Sequence, residues 1–213
     1  GREVRKSGHF RTAMVRSDKI DFDNASWISG GTLLRRSLSD LQLAASPKDI
    51  ANATVFASGV GCFRIQIDGE NVASSFLDPG WHTLPTMRIP YRAFDITRFF
   101  LRPKVPRNIE VSLGMCKYGY QNSFCRGAHA ATDVCKAFLM SMRLTYRNGD
   151  IRTVVTSAHD KLWKATTEAN PIRYSHLYHG EQYDGRVITE DPAKWQACVP
   201  AMFDTGAGRV PPK

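Results

Sequence analysis

Apolar and polar residues alternate with period two in several short runs of this 213-residue chain. Phe63, Ile65 and Ile67 alternate with Arg64 and Gln66, which predicts a half-buried strand. Asp68-Gly69 predicts a tight turn after it, because Gly takes positive φ at no steric cost and Asp tolerates the neighbouring position. Val72 resumes the chain before Leu77-Asp78-Pro79-Gly80-Trp81, a second turn that sets a large aromatic beside a polar loop. Ile109, Val111 and Leu113 alternate with Glu110 and Ser112. The strongest pattern sets Phe138, Met140, Met142, Leu144 and Tyr146 on one face against Ser141, Arg143, Thr145 and Arg147 on the other. Asn148-Gly149 then predicts a hairpin into Ile151, Thr153 and Val155. Trp27-Ile28, Leu33–Leu38, Thr54–Ala57 and the region of Trp163 predict further strands. No stretch longer than ten residues keeps a period of 3.6. Many short strands with turn signals between them predict an all-β, jelly-roll β-sandwich.

The sandwich is expected over residues 21–198, between a basic tail at 1–20 and a Gly- and Pro-containing tail or linker at 199–213. Asp40 to Asn52 reads as a polar connection, and residues 114–136 as a long loop of the kind that is usually functional or mobile. The net charge is +9, of which residues 1–19 supply +4 through six Lys/Arg against Glu3 and Asp18. That tail lacks the interleaved aromatics of a nucleic-acid footprint, and the remaining surplus is spread thinly, so no nucleic-acid partner is expected. No apolar run approaches the ~18 residues of a membrane span. The first residue is Gly rather than Met, and the chain is expected to be part of a longer one.

The five cysteines, Cys62, Cys116, Cys125, Cys135 and Cys198, contain no C-x-x-C pair and no metal-type spacing. Three of them lie between positions 116 and 135, which allows one loop disulfide in an oxidising compartment. Asn24-Ala-Ser26 and Asn52-Ala-Thr54 are N-glycosylation sequons. Together with the cysteines they lean toward a secreted or extracytosolic setting, while the odd count leaves one thiol over.

The order of motifs resembles a known family. Trp27-Ile28, Gly59-x-Gly61, Ile67-Asp68-Gly69-x-x-Val72 and Leu77-x-Pro79-Gly80-Trp81 are followed by Tyr91-x-x-Phe94-Asp95-Ile96-Thr97. Then come Leu113-Gly114, the Asn148-Gly149 hairpin, Trp163-Lys164 and Gly180-Glu181-x-Tyr183-Asp184-x-Arg186. Over about residues 25–195 the chain resembles the N-terminal accessory domain of bacterial-type α-L-rhamnosidases, a galactose-binding-like jelly roll placed ahead of a catalytic domain. The resemblance implies a non-catalytic, lectin-like carbohydrate-binding module for rhamnose-type sugars. It also implies possible assistance by calcium, a hard cation served by oxygen ligands. Asp68 stands where many relatives have Asn and keeps an oxygen ligand, with Asn71 and Asp78 on adjacent turns. The family's Gly-Trp after Leu-Gly is here Met115-Cys116, a departure that bears on sugar specificity.

The candidate residues carry two readings each. Trp81 and His82 could form a sugar platform, an aromatic face against the apolar face of a pyranose with polar neighbours on its hydroxyls; the default is a hydrophobic plug under a loop. Asp68 is a candidate metal ligand, with a turn-forming Asp as the default. Tyr118, Tyr120 and Asn122 are candidates on the long loop. Glu181 and Asp184 are close carboxylates, but glycoside hydrolysis needs two carboxyl groups across a bond in a cleft. Three residues apart, with Arg186 beside them, Glu181, Tyr183, Asp184 and Arg186 read as a structural corner. The histidines follow no ligand spacing. The leading reading is therefore a glycan-binding module without catalytic residues. The alternative is a repurposed sandwich that binds a protein partner and no sugar.

Overall fold

The computed structural model describes residues 22, 24–41, 49–80, 89–102, 106–116, 136–204 and 209–210. In chain order the first strands are β1 (Ile28–Ser29), β2 (Leu33–Ser37), β3 (Ile50–Val60), β4 (Cys62–Ile67) and β5 (Glu70–Asn71). β6 (Tyr91–Asp95), a single helical turn α1 (Thr97–Phe100) and β7 (Asn108–Gly114) follow. The later strands are β8 (Ala137–Tyr146), β9 (Ile151–Val155), β10 (Trp163–Thr166), β11 (Ile172–His176) and β12 (Gly180–Tyr183). β13 (Gln196–Ala197) and β14 (Val199–Pro200) complete the body.

Twelve of these strands form a jelly-roll sandwich of two six-stranded antiparallel sheets, and β11 and β12 pair as a separate two-stranded hairpin. One runs β14-β1-β8-β3-β6, with β9 paired to the far half of β8; the other runs β13-β10-β2-β7-β4-β5. The alternating residues explain both layers. Phe63, Ile65 and Ile67 from β4 and Ile109, Val111 and Leu113 from β7 point inward and are buried. Phe138, Met140, Met142 and Leu144 of β8 meet them from the opposite sheet, each with no exposed surface. Phe138 stands edge-on to Phe63 at 5.3 Å and to Trp163 at 6.3 Å between ring centres. The Trp163 indole N–H donates to the Val155 carbonyl at 2.9 Å, so the largest core side chain also leaves no polar atom unsatisfied.

A single residue, Gly61, links β3 in one sheet to β4 in the other, at φ +85°. Gly is the residue that takes this left-handed conformation without strain. Gly59, two residues earlier, has no room for a side chain, since a Cβ there would lie 2.7 Å from the Phe63 ring.

Three expectations change. The short strand at Thr54–Ala57 is the middle of the eleven-residue β3, which takes in Ile50 to Asn52 from the expected polar connection. β3 lies between β8 and β6 and is buried along most of its length, so it lacks the alternation that marks a half-exposed strand. The boundary expected after residue 198 falls inside a sheet: Val199 and Pro200 pair with Ser29 and Ile28. Pro200 is tolerated because β14 is an edge strand, where a missing N–H breaks no interior ladder. Phe99-Phe100, which carried no predicted element, forms α1 and buries both rings against the core. The Asn52 side chain of the second sequon accepts the Thr54 hydroxyl within β3 (3.0 Å).

Replacing Trp163 with Ala removes a fully buried indole and its hydrogen bond. We expect a loss of about 3–5 kcal/mol in urea unfolding; a loss below about 1 kcal/mol would contradict its place at the centre of the core.

Candidate functional site

The two ends of the sandwich differ in chemistry. At one end lie the β4–β5 turn, α1 and the start of β7. Asp68 takes φ +47° and Gly69 φ +82°, the conformation of a two-residue hairpin turn. The Asp68 carboxylate accepts the backbone N–H groups of Arg107 (3.0 Å) and Asn108 (2.9 Å), stapling the turn to the entry of β7. Glu70 takes both guanidinium nitrogens of Arg102 at 2.7 and 3.0 Å. The exposed Asn71 offers its backbone carbonyl to Arg98 at 2.9 Å. This end is closed by its own ion pairs and hydrogen bonds.

Asp78 lies at the other end. Its backbone bridges to Phe63, whose N–H donates to the Asp78 carbonyl at 2.9 Å. Its carboxylate is buried, accepts the Ser75 hydroxyl at 2.5 Å and faces Arg92 Nε at 3.2 Å. From Phe63, opposite Asp78, to Ile67, opposite Glu70, is about 13 Å of strand. The structure thus separates Asp68 and Asn71 from Asp78. Among the described residues, no three His, Cys, Asp or Glu side chains come together as a metal site. Trp81, His82, Tyr118, Tyr120 and Asn122 lie outside the described residues; the first two follow Gly80 directly, and the others follow Cys116 by two to six positions.

The Asp78 end carries a cleft of about 250 Å³ between the start of β4, the end of β7 and the β11–β12 hairpin. Cys62, Leu77 and Cys116 line one side, and Ser175, His176, Leu177 and Glu181 the other. The hairpin is held there by backbone bonds from Met115 N to the Ser175 carbonyl (3.1 Å) and from Leu177 N to the Cys116 carbonyl (2.9 Å). Gly114 permits this approach: a Cβ would come within 3.3 Å of the Ser175 hydroxyl. Inside the hairpin, Tyr174 stacks on His176 (6.1 Å between centres), and His179 meets His176 edge-on at 4.7 Å. Burial, and then the neighbouring His179, hold the His176 imidazole below its usual range. It is therefore neutral near pH 7, and its Nδ1 accepts the Tyr178 N–H at 3.1 Å.

Glu181 belongs to the cleft rather than to an ion pair with Arg186. Arg186 instead closes on Asp184, with Nε to Oδ1 at 2.8 Å and Nη2 to Oδ2 at 3.0 Å. The Arg186 guanidinium and backbone N–H hold the Asp184 carboxyl down to about 2. Tyr183 is exposed on β12. Sequence reasoning missed Ser175, His176 and Leu177 as cleft residues. The one signal for them is the Ile172, Tyr174, His176 alternation ahead of Gly180, which marks a hairpin but not its docking site.

Two antiparallel sheets over one core, with a small mixed cleft at the strand ends, define a jelly-roll module that presents its chemistry on loops and hairpins. The model of the alpha-L-rhamnosidase N-terminal domain matches residues 48–206, and the chain belongs to that family. It is 28% identical over 174 residues to an alpha-L-rhamnosidase of Formosa agariphila, covering 78% of this chain and 18% of that protein. With an alpha-L-rhamnosidase of Alteromonas sp. it shares 30% identity over 174 residues, 75% of this chain and again 18% of the relative. The chain thus spans less than a fifth of the length of these relatives. Among solved structures, the alpha-L-rhamnosidase from Dictyoglumus thermophilum superposes with a TM-score of 0.63 at 23% identity, over 89% of this chain and 22% of that one. The Streptomyces avermitilis enzyme complexed with L-rhamnose gives 0.59 at 23% identity, over 83% and 16%. At these identities the superpositions establish the fold alone.

A lowered His176 favours the neutral ring in the folded state. Its contribution to stability is full above the unfolded histidine value near 6.5 and is lost as pH falls through the folded value. We expect the His176 ring to titrate below 6.5 by NMR, with the Tyr178 amide exchanging faster once it is protonated. A titration at or above 6.5 would contradict this assignment.

Proposed function

We propose that this chain is a non-catalytic carbohydrate-recognition domain working within a longer α-L-rhamnosidase-type protein, and that its cleft takes one deoxyhexose unit of the rhamnose type. The observation that carries this reading is the lining of the cleft. Leu77 and Leu177 supply apolar contact for a methyl group and a C–H face. The Glu181 carboxylate and the Ser175 hydroxyl supply acceptors and a donor for hydroxyls. About 250 Å³ is below the usual span of drug-sized pockets and suits a single ring. Family membership supports the same reading, and Trp81 and His82, immediately after Gly80, are proposed as further contacts.

Hydrolysis is assigned to other parts of the longer protein, because Glu181 is the one carboxylate among the described residues lining the cleft and the mechanism needs two. Asp78 serves Ser75 and Arg92, and Asp184 serves Arg186. Asp68, whose carboxylate staples the Arg107 and Asn108 amides, lies at the opposite end from the cleft. The proposed sugar contact therefore does not depend on calcium bound at Asp68. One observation favours a protein partner instead: Phe76, Leu77 and Tyr178 are exposed around the same cleft, with Phe76 at 75% of its free surface.

Isothermal titration of the chain with L-rhamnose separates these readings. We expect a Kd of about 0.1–1 mM, weakened about tenfold by Glu181→Gln, unchanged by chelator, and no turnover of an aryl rhamnoside. Absence of binding at tens of millimolar sugar, with retained capture of a purified rhamnosidase catalytic domain, would favour the protein-docking reading. Turnover by the chain alone would overturn the non-catalytic assignment.

A further inference from the structure

Cys62 opens β4 directly opposite Gly114, the last residue of β7. Two residues on, Cys116 takes φ +54°, a left-handed conformation just beyond the strand. Both cysteines are reduced, half-buried and line the cleft together, and the Cys116 side chain holds the Cys62 thiol above its usual range. Their position sets them apart from Cys198, which is buried between β13 and β14 and does not line the cleft.

We propose that Cys62 and Cys116 form a dithiol that closes to an intramolecular disulfide by exchange with a low-molecular-weight disulfide such as oxidised glutathione, making this pair a redox modification site in the wall of the cleft. The order of steps follows from the environment. The Cys116 side chain, burial and the nearby Asp78 carboxylate hold the Cys62 thiol protonated, so Cys116 is assigned the first attack. Cys116, having lost its proton to solvent, attacks one sulfur of the glutathione disulfide. The sulfur–sulfur bond breaks, one glutathione thiolate leaves, and a Cys116–glutathione mixed disulfide remains. Cys62 then loses its proton and attacks the Cys116 sulfur, expelling the second glutathione. Two protein thiols give up two electrons and two protons, and one glutathione disulfide becomes two glutathione molecules. The crosslink joins the β4 start to the segment on which the β11–β12 hairpin docks, enclosing the chain between residues 62 and 116. This inference is independent of the sugar reading, because it concerns the thiols whether or not the cleft holds a ligand.

Peptide mapping tests it on the whole chain. Trypsin leaves each of the five cysteines in its own peptide, with Cys62 in 49–64 and Cys116 in 108–117. The reduced protein is equilibrated with excess oxidised glutathione, quenched with an alkylating agent, digested without reduction and read by mass spectrometry. The expected result is a linked 49–64/108–117 pair as the main form of both cysteines. The oxidised chain should melt about 5–10 °C above the reduced one, and Cys62→Ser should abolish that shift. Alkylated or glutathione-capped Cys62 and Cys116 without a linked pair would overturn the proposal, as would linkage of either to another cysteine. A linked pair that leaves the melting temperature unchanged would overturn the claim that the native geometry accepts the bond.

Discussion

The pairing of β3 with β8 is the constraint on which the rest of the molecule depends. Ten residue pairs join them, from Ile50 with Tyr146 to Val60 with Ala137, across some ninety residues of intervening chain at one end. Both strands lie inside the sheet, so their backbone groups must be satisfied by each other and by β6, β1 and β9. Because β3 occupies the middle of one sheet, the Gly61 link sends β4 straight into the facing sheet. Phe63 then packs against the bare Cα of Gly59 and against Phe138. That crossover fixes where Cys62 and Asp78 sit, and with them one wall of the cleft.

The ends of the sandwich divide the labour. At the Asp68 end, the turn carboxylate caps two amides, Glu70 holds Arg102, and Phe99 and Phe100 are sealed against the core. Each interaction there satisfies a group of the protein itself. At the opposite end, β7 stops at Gly114 and the β11–β12 hairpin docks on the segment beyond it, leaving a gap between strand ends and hairpin. Side chains of different character converge on that gap: two leucines, a carboxylate, a hydroxyl, an imidazole and two thiols. A protein surface that has already spent its polar groups has little to offer a ligand; one that still directs them into a cleft does.

The layout of the sandwich was legible wherever a strand is half-buried. β4, β7 and β8 follow directly from their alternating residues, since one face of each meets the core; Asn148-Gly149 marks the turn into β9, where Val154 is buried and the alternating Ile151 and Thr153 are exposed. The pattern failed where burial is two-sided or tertiary. β3 is buried almost throughout and shows no alternation, and β14 is a two-residue edge pairing with no signature of its own. The site was less legible for the same physical reason. Asp68 and Asp78 are ten residues apart in sequence, yet the length of β4 puts them at opposite ends. Glu181 and Cys62 are far apart in sequence and share one cleft. Spacing along a chain reports local geometry; it cannot report which loop a hairpin will dock upon.

The central claim is that ligand chemistry belongs to the cleft between β4, β7 and the β11–β12 hairpin, and not to the Asp68 turn. Backbone amide shifts of the labelled chain, followed as L-rhamnose is added, test this most directly. The account predicts saturable shifts at Cys62, Gly114 to Cys116 and Ser175 to Glu181, with Asp68 to Asn71 unmoved. Shifts confined to Asp68 to Asn71, or none anywhere at saturating sugar, would contradict it.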